Sequence, residues 1–385
     1  MKSPNSVLSS FGTTVFEVMS QLANDHNSIN LGQGFPDSNG PDDVRAVAQE
    51  ALADRQNQYP SMMGVPELRQ AVARHNGRFY GLEVDWQSEV MVTSGATEAL
   101  AASLFGLIEP DDEVVLFEPL YDSYIPIVRR AGALDKLVRL EPPHWTLPVA
   151  ELEAAFSSRT KAVLLNSPLN PAGKVFSREE LDIIAALAQR HDCYVICDEV
   201  YEHLIFDGLP HIPLMTLPGM RERCVRIGSA GKTFSLTGWK VGYMTAAPEV
   251  LAPIAKAHQF LTFTTAPNLQ RAVAFGLDKD DDYYAKLASD MQASRDRLQQ
   301  GLARIGFETA ECAGTYFLNA DFRPLGFNGT DEDFCRHITV EAGVTAVPVS
   351  AFYLDDGPSH FARFCFCKED TTLDEAIARL ARHFG

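Results

Sequence analysis

Lys232 is the residue with the most evident chemistry, in the run Ser229-Ala230-Gly231-Lys232-Thr233-Phe234-Ser235-Leu236-Thr237-Gly238-Trp239-Lys240-Val241-Gly242. It follows the β-like segment Cys224–Gly228, so it is expected where a strand ends and a loop opens. An amine there can condense with a carbonyl to an imine, provided its surroundings keep it deprotonated. Ser229 and Lys240 can hold a phosphate beside that imine. An ordinary exposed lysine in a Gly/Ser loop fits the same residues. What Lys232 does therefore depends on which groups the other strand ends bring to it.

Several candidate groups fall on such ends, where open parallel sheets bind ligands. In Thr93-Ser94-Gly95-Ala96-Thr97 a strand leads into a helix, and the N–H groups of Gly95, Ala96 and Thr97 with the helix dipole make an anion seat. A plain turn with Thr97 as N-cap fits equally well. Asn170, in Asn166-Ser167-Pro168-Leu169-Asn170-Pro171-Ala172-Gly173-Lys174, can offer its amide to a phenolate oxygen and a carboxylate, or simply occupy a turn. Asp198, ending the apolar run Val195-Ile196-Cys197, is costly to bury without a cation, unless it only caps a local turn. A protonated pyridine nitrogen is such a cation. Tyr201 can aim its phenol at the ring oxygen, and Tyr121 can stack on a heteroaromatic ring or merely pack. Arg363, alternating with apolar residues in His360-Phe361-Ala362-Arg363-Phe364, suits a bidentate carboxylate, although an exposed edge-strand arginine has the same pattern. An aldehyde for the lysine, a phosphate and a pyridine ring together describe pyridoxal 5′-phosphate.

The elements that must position these groups alternate in type. Short apolar runs at Glu89–Thr93, Glu113–Phe117, Lys136–Leu140, Ala162–Asn166, Tyr194–Asp198, Cys224–Gly228 and Val241–Ala246 read as strands. Helical patterns intervene at Thr97–Leu107, Arg178–Arg190 and Pro248–Phe263. This alternation predicts an α/β fold with a mostly parallel sheet covered by helices. A long polar helix, Asp281–Arg304, then leads to strand-like pieces at Thr315–Ala320, Thr345–Val349 and Phe361–Cys367 and to helices Glu332–Ala342 and Leu373–His383. These read as a smaller α/β domain.

Composition narrows the function class. The 385 residues exceed one ordinary core, and 46% hydrophobic with 22% charged residues is the balance of a soluble globular protein. A formal charge of −18 argues against nucleic acid and anionic membranes as partners. The N-terminal residues show no apolar signal core and no run approaches membrane-spanning length, which points to the cytoplasm. Seven cysteines, with Cys193/Cys197 and Cys365/Cys367 as close pairs, read as buried core thiols rather than disulfides or a metal site. The ten histidines lack a His-Glu-x-x-His pattern, so no metal is expected.

In order, Gly-Gln-Gly-Phe-Pro (32–36), Ser-Gly-Ala-Thr-Glu-Ala (94–99), Asn-x-Pro-x-Asn-Pro-x-Gly-Lys-Val-Phe (166–176), Asp-Glu-Val-Tyr (198–201) and the lysine motif (229–242) resemble the class I/II aminotransferases of fold type I. The likeness is greatest to the branch of methionine, kynurenine and glutamine transaminases, and extends from about Gly12 to Phe366. The resemblance implies a seven-stranded, mostly parallel sheet in a large cofactor-binding domain (41–280). A small domain would be made of residues 1–40 and 281–385. It implies that Lys232 forms the imine with the cofactor and then shuttles protons, while Asp198 pairs with the pyridine nitrogen. Asn170 and Tyr201 would bond the ring oxygen and Tyr121 would stack on the ring. Gly95, Ala96, Thr97, Ser229 and Lys240 would hold the phosphate, joined by Tyr59 from a neighbouring subunit of a homodimer. Arg363, Asn170 and the Gly34 backbone would hold the substrate carboxylate. The implied reaction is ping-pong transamination between an amino acid and a 2-oxo acid through pyridoxamine phosphate. A β-C–S lyase on the same fold has nearly the same motifs, and an inert regulator would keep the fold without the chemistry. The chain departs from the common family pattern at Asp37-Ser38 and at Val347-Pro348-Val349-Ser350, both expected near the substrate. Donor, acceptor and pathway are not specified by these residues.

Overall fold

The computed structural model describes residues 2–54 and 57–385. Its strands, in chain order, are β1 (Ile29–Asn30), β2 (Val90–Thr93), β3 (Glu113–Glu118), β4 (Leu134–Arg139), β5 (Thr160–Asn166), β6 (Tyr194–Asp198), β7 (Cys224–Ser229), β8 (Gly242–Ala246), β9 (Glu308–Thr309), β10 (Phe317–Asp321), β11 (Val344–Thr345), β12 (Val347–Pro348) and β13 (Phe361–Cys365). The seven central strands expected from their apolar runs form one sheet, ordered β2-β8-β7-β6-β5-β3-β4. β8 pairs antiparallel with both β2 and β7, while the pairs from β7 to β4 are parallel. Only β8 is therefore reversed. Strands β2, β5, β6 and β7 end on the same edge, and that edge carries Gly95, Asn166, Asp198 and Ser229.

Burial on both faces explains the continuous apolar runs. β2, β3 and β8 are buried at every position, and β5 and β6 at nearly every one. The helix Gly95–Leu107 packs against Pro248–Leu261 so closely that a Cβ on Gly106 would come within 2.7 Å of the Ile254 Cα. A second layer of helices includes Asp42–Asp54, Pro66–Tyr80 and Pro267–Leu277, which the sequence reading did not single out. Pro66–Tyr80 nevertheless carries clear punctuation, with proline at its first turn and Gly81 closing it in the left-handed conformation at φ 65°.

Beyond residue 280, a 25-residue helix (Asp281–Ile305) leads to the four-stranded sheet β12-β13-β10-β9. The strand expected over Thr345–Val349 is broken into β11 and β12, and the helix expected over Glu332–Ala342 becomes Asp331–His337 followed by a π-helical segment, Ile338–Ala342. The N-terminal strand β1 pairs in parallel with β11. That pairing brings the 32–36 segment onto β12, where a Cβ on Gly32 would meet the Val347 side chain at 2.9 Å. Among the described residues, no helix is long and apolar enough to cross a membrane.

Candidate active site

The expected groups converge in one cavity of about 710 Å³, its open mouth included, at the carboxyl edge of the large sheet. Gly95, Ala96, Thr97, Tyr121, Asn170, Asp198, Tyr201, Ser229, Lys232 and Lys240 all line it. Two local expectations change. Lys232 stands on a short helical turn, Ala230–Thr233, capped by Ser229, rather than in an open loop. Thr97 is not an N-cap, because its helix begins at Gly95 with Ser94 in the cap position.

The anion seat is built by close backbone approach. Gly95 has φ +78°, a conformation that disfavours any side chain, and a Cβ there would touch Lys240 Nζ at 3.3 Å. Gly242 approaches equally closely, since its Cβ would lie 2.9 Å from the Ala96 nitrogen. Lys240 itself adopts φ +55°, strain that a lysine carries only where its surroundings impose it. The result is a helix N-terminus with an ammonium beside it.

Asp198 lies at the cavity floor with Tyr124 donating to its Oδ2 at 2.7 Å. Burial pushes its carboxyl above the usual range, and the Tyr124 hydroxyl only partly offsets this. A buried carboxylate with that deficit accommodates a cationic ring nitrogen. Tyr124 itself carries no motif; it reaches the site as the first residue of the helix Tyr124–Ala131.

Lys232 donates to the Tyr316 hydroxyl at 2.7 Å, and Tyr316 donates to the Gly34 carbonyl at 2.7 Å. Burial lowers the Lys232 ammonium pKa, with the nearby Cys367 and Asp198 acting in the opposite direction, which enlarges the fraction of free amine. Tyr316 also crosses Tyr201 edge to face at 5.1 Å. Gly34 cannot be replaced without displacing Phe317, whose ring would lie 2.4 Å from an added Cβ.

Arg363 is not on an edge. It sits on the inner strand β13, 1% exposed, and donates to the Gly32 carbonyl at 2.8 Å and to Asn170 Oδ1 at 3.3 Å. Its guanidinium is faced by Phe317, Phe352 and Phe16 at 3.8, 4.7 and 5.0 Å. Nε has no hydrogen-bond partner, and among the described residues no carboxylate lies within ion-pair distance. Burial brings its pKa down to about 10, so the cation persists at neutral pH. A buried, charged fork with a free nitrogen can accept a carboxylate. The Gly34 carbonyl accepts from Tyr316, and the Gly32 carbonyl accepts from the arginine.

Tyr59 is outside the cavity. It is 83% exposed and lies in a separate groove with Thr264–Asn268, its ring edge-on to Phe263 at 5.6 Å. Of the two departures from the common pattern, Asp37 pairs with Lys368 at 2.9 Å, and Ser350 donates through N and Oγ to Asp331. The Cys365 and Cys367 thiols are free and buried, 3.1 Å apart.

The family described as aminotransferase class I and II matches residues 26–380. The probable N-succinyldiaminopimelate aminotransferase of Mycobacterium tuberculosis is 46% identical, over 96% of each chain. The solved structure of N-succinyldiaminopimelate aminotransferase from that organism superposes with a TM-score of 0.96, covering 99% of this chain and 100% of its own. The methionine aminotransferase of Escherichia coli is 40% identical over 98% of this chain and 97% of its own. The kynurenine–oxoglutarate transaminase of Dictyostelium discoideum is 38% identical, over 98% and 96%. With a family match over most of its length and these relatives beside it, the chain belongs to the class I and II aminotransferases.

Proposed function

We propose that this aminotransferase uses pyridoxal 5′-phosphate to move an amino group from an amino acid with an uncharged side chain to a 2-oxo acid, in a ping-pong exchange. The observation that carries the reading is the single cavity in which a buried lysine amine, a buried aspartate and an ammonium-flanked helix N-terminus face one another. Bound there, the cofactor would supply an aldehyde for amine exchange and a ring that accepts the electron pair released at Cα. Lys232 would hold it covalently, Asp198 would pair with its ring nitrogen, and Asn170 and Tyr201 would bond its ring oxygen. Tyr121 would stack on the ring. Gly95, Ala96, Thr97, Ser229 and Lys240 would hold the phosphate.

Arg363 fixes the substrate carboxylate with its free nitrogen, and Asn170 steadies the same guanidinium. With the cofactor in place, Lys232 would be a tethered base positioned to take the proton from the substrate Cα. The Tyr316–Gly34 chain keeps that amine on the arginine side of the cavity. Phe16, Phe317 and Phe352 shield the Arg363 guanidinium from water.

The groove that adjoins Arg363 through Phe16 and Phe352 is lined, among the described residues, without a lysine or arginine; its one charge is Asp122. A side chain bearing further carboxylates would meet no counter-ion there, which favours methionine, aromatic, kynurenine or glutamine-type donors over N-succinyldiaminopimelate. We also place the work in the cytoplasm, in a homodimer whose Tyr59 reaches the partner's phosphate seat. In this reading residues 41–280 form the cofactor domain, and 1–40 with 281–385 the small one.

Borohydride reduction followed by peptide mapping should fix the cofactor on Lys232; an adduct on Lys240, or none, sinks the assignment. A donor panel should show oxo-acid formation from methionine or an aromatic amino acid. Preference for N-succinyldiaminopimelate would overturn the uncharged-donor reading, and steady release of pyruvate and ammonia from cystathionine would favour a lyase. Mixing inactive Lys232→Ala chains with inactive Tyr59→Ala chains should restore one complete site per dimer only if Tyr59 acts across the interface.

A further inference from the structure

We infer that His75, Glu202 and His203, clustered behind β6 and outside the cavity, form a binding site for a divalent transition ion of the zinc class. His75 comes from the helix Pro66–Tyr80, whereas Glu202 and His203 lie in the turn just after Tyr201. The two imidazoles face each other nitrogen to nitrogen, with Nε2 atoms 2.7 Å apart and rings crossed at 89°. One ring nitrogen of each histidine and one carboxylate oxygen of Glu202 lie within 4.8 Å of one another.

The carboxylate is already oriented. Tyr80 donates to Glu202 Oε2 at 2.5 Å and Arg226 Nη2 bonds the same oxygen, while the buried Oε1 has no hydrogen-bond partner. An unanswered buried carboxylate oxygen is costly, and outer groups that hold one oxygen while freeing the other are the usual support of a metal-ligating carboxylate. Arg226 bonds both Glu199 and Glu202, which holds the Glu202 carboxylate in place.

Two imidazoles and one carboxylate suit zinc rather than magnesium or calcium, which select oxygen. Tetrahedral bonds of about 2.0–2.1 Å separate two ligand nitrogens by roughly 3.3 Å, so the rings, now 2.7 Å apart, must part by about 0.6 Å. His203 is half-buried and packs against Tyr284 and Phe79 at 4.3 and 4.8 Å, so those rings would shift with it. Water would complete the set. The ion would tie the Pro66–Tyr80 helix to the turn that follows Asp198, a structural role without contact to substrate.

The test uses untagged full-length protein, stripped with dipicolinate and titrated with zinc, cobalt and magnesium salts. Expected are one zinc ion per chain retained through gel filtration, visible cobalt bands of a four-coordinate site, and a Tm raised by a few degrees by zinc but not magnesium. His75→Gln and His203→Gln should each weaken zinc binding at least tenfold with an unchanged circular dichroism spectrum. If His75→Gln fails to fold, His203→Gln at the half-exposed edge decides. Wild-type protein that retains no zinc, or a His203→Gln variant that binds it as tightly, overturns the site.

Discussion

Two arginines in this molecule are equally buried, each 1% exposed, and their surroundings are opposite. Arg226 on β7 is answered on every side. Nε meets Glu199 at 2.6 Å, Nη1 meets Asn76 at 3.0 Å, Nη2 meets Glu202, and the ring of Tyr80 covers the group at 4.5 Å. Arg363 on β13 has aromatic faces, one carbonyl, one amide and a nitrogen with nothing to bond. Desolvation opposes the charge in both, but the carboxylates more than repay it at Arg226, whose pKa rises, while that of Arg363 falls. A buried charge completed within the chain is scaffold. One left incomplete is free to take a ligand.

The contrast is open to direct attack. Arg226→Met would strand two buried carboxylates and should cost about 3–5 kcal/mol of stability, read as a large drop in the urea midpoint. Adding Glu199→Gln to that variant should recover part of the loss; no recovery would mean the cluster is not the reason for the arginine.

Arg363→Ala should do the reverse. Its removal strands no carboxylate, so Tm should hold or rise, whereas kcat/KM should fall by about two orders of magnitude, roughly 2.7 kcal/mol of lost substrate binding. A variant that unfolds but retains kinetics per folded molecule would erase the distinction between the two arginines.

A smaller effect is expected one shell out. Tyr316→Phe removes the hydroxyl between Lys232 and the Gly34 carbonyl and should lower kcat/KM about five- to tenfold, with about 1–1.5 kcal/mol at stake. Steady-state kinetics at fixed pH would reveal an unaffected rate if Lys232 needs no such guide.

The smallest concerns protonation. Because burial lowers the Lys232 pKa, the free amine should accumulate at a lower pH than for an exposed lysine, near 10.4. Uptake of pyridoxal phosphate by the stripped protein should level off below that pH. Continued tenfold acceleration per pH unit up to 10.4 would show an unperturbed amine.

Much of the cavity was legible along the chain because each contributing residue lies at or just past a strand end. Asp198 ends β6, Asn170 follows β5, and Lys232 follows β7 within a few positions. Period and punctuation locate such positions locally. Tyr124 and Tyr316 were not legible: a phenol in a helix or before a strand is ordinary until folding aims it, and Tyr316 meets Lys232 across 84 residues. Arg363 was recognised as a fork for carboxylates, yet the same residues fitted an exposed edge. Only the order β12-β13-β10-β9 buries it.

What the sequence by itself determined is the alternating α/β order, the strand-end groups and the family, because these rest on contacts between near neighbours. Tertiary structure alone decided which charges are completed. Arg363 reaches the Gly32 carbonyl across 331 residues, Arg226 meets Asn76 across 150, and His75 meets His203 across 128. Burial and partnership are properties of packing between distant segments. No local pattern encodes whether a buried cation finds its carboxylate inside the chain or waits for one from outside.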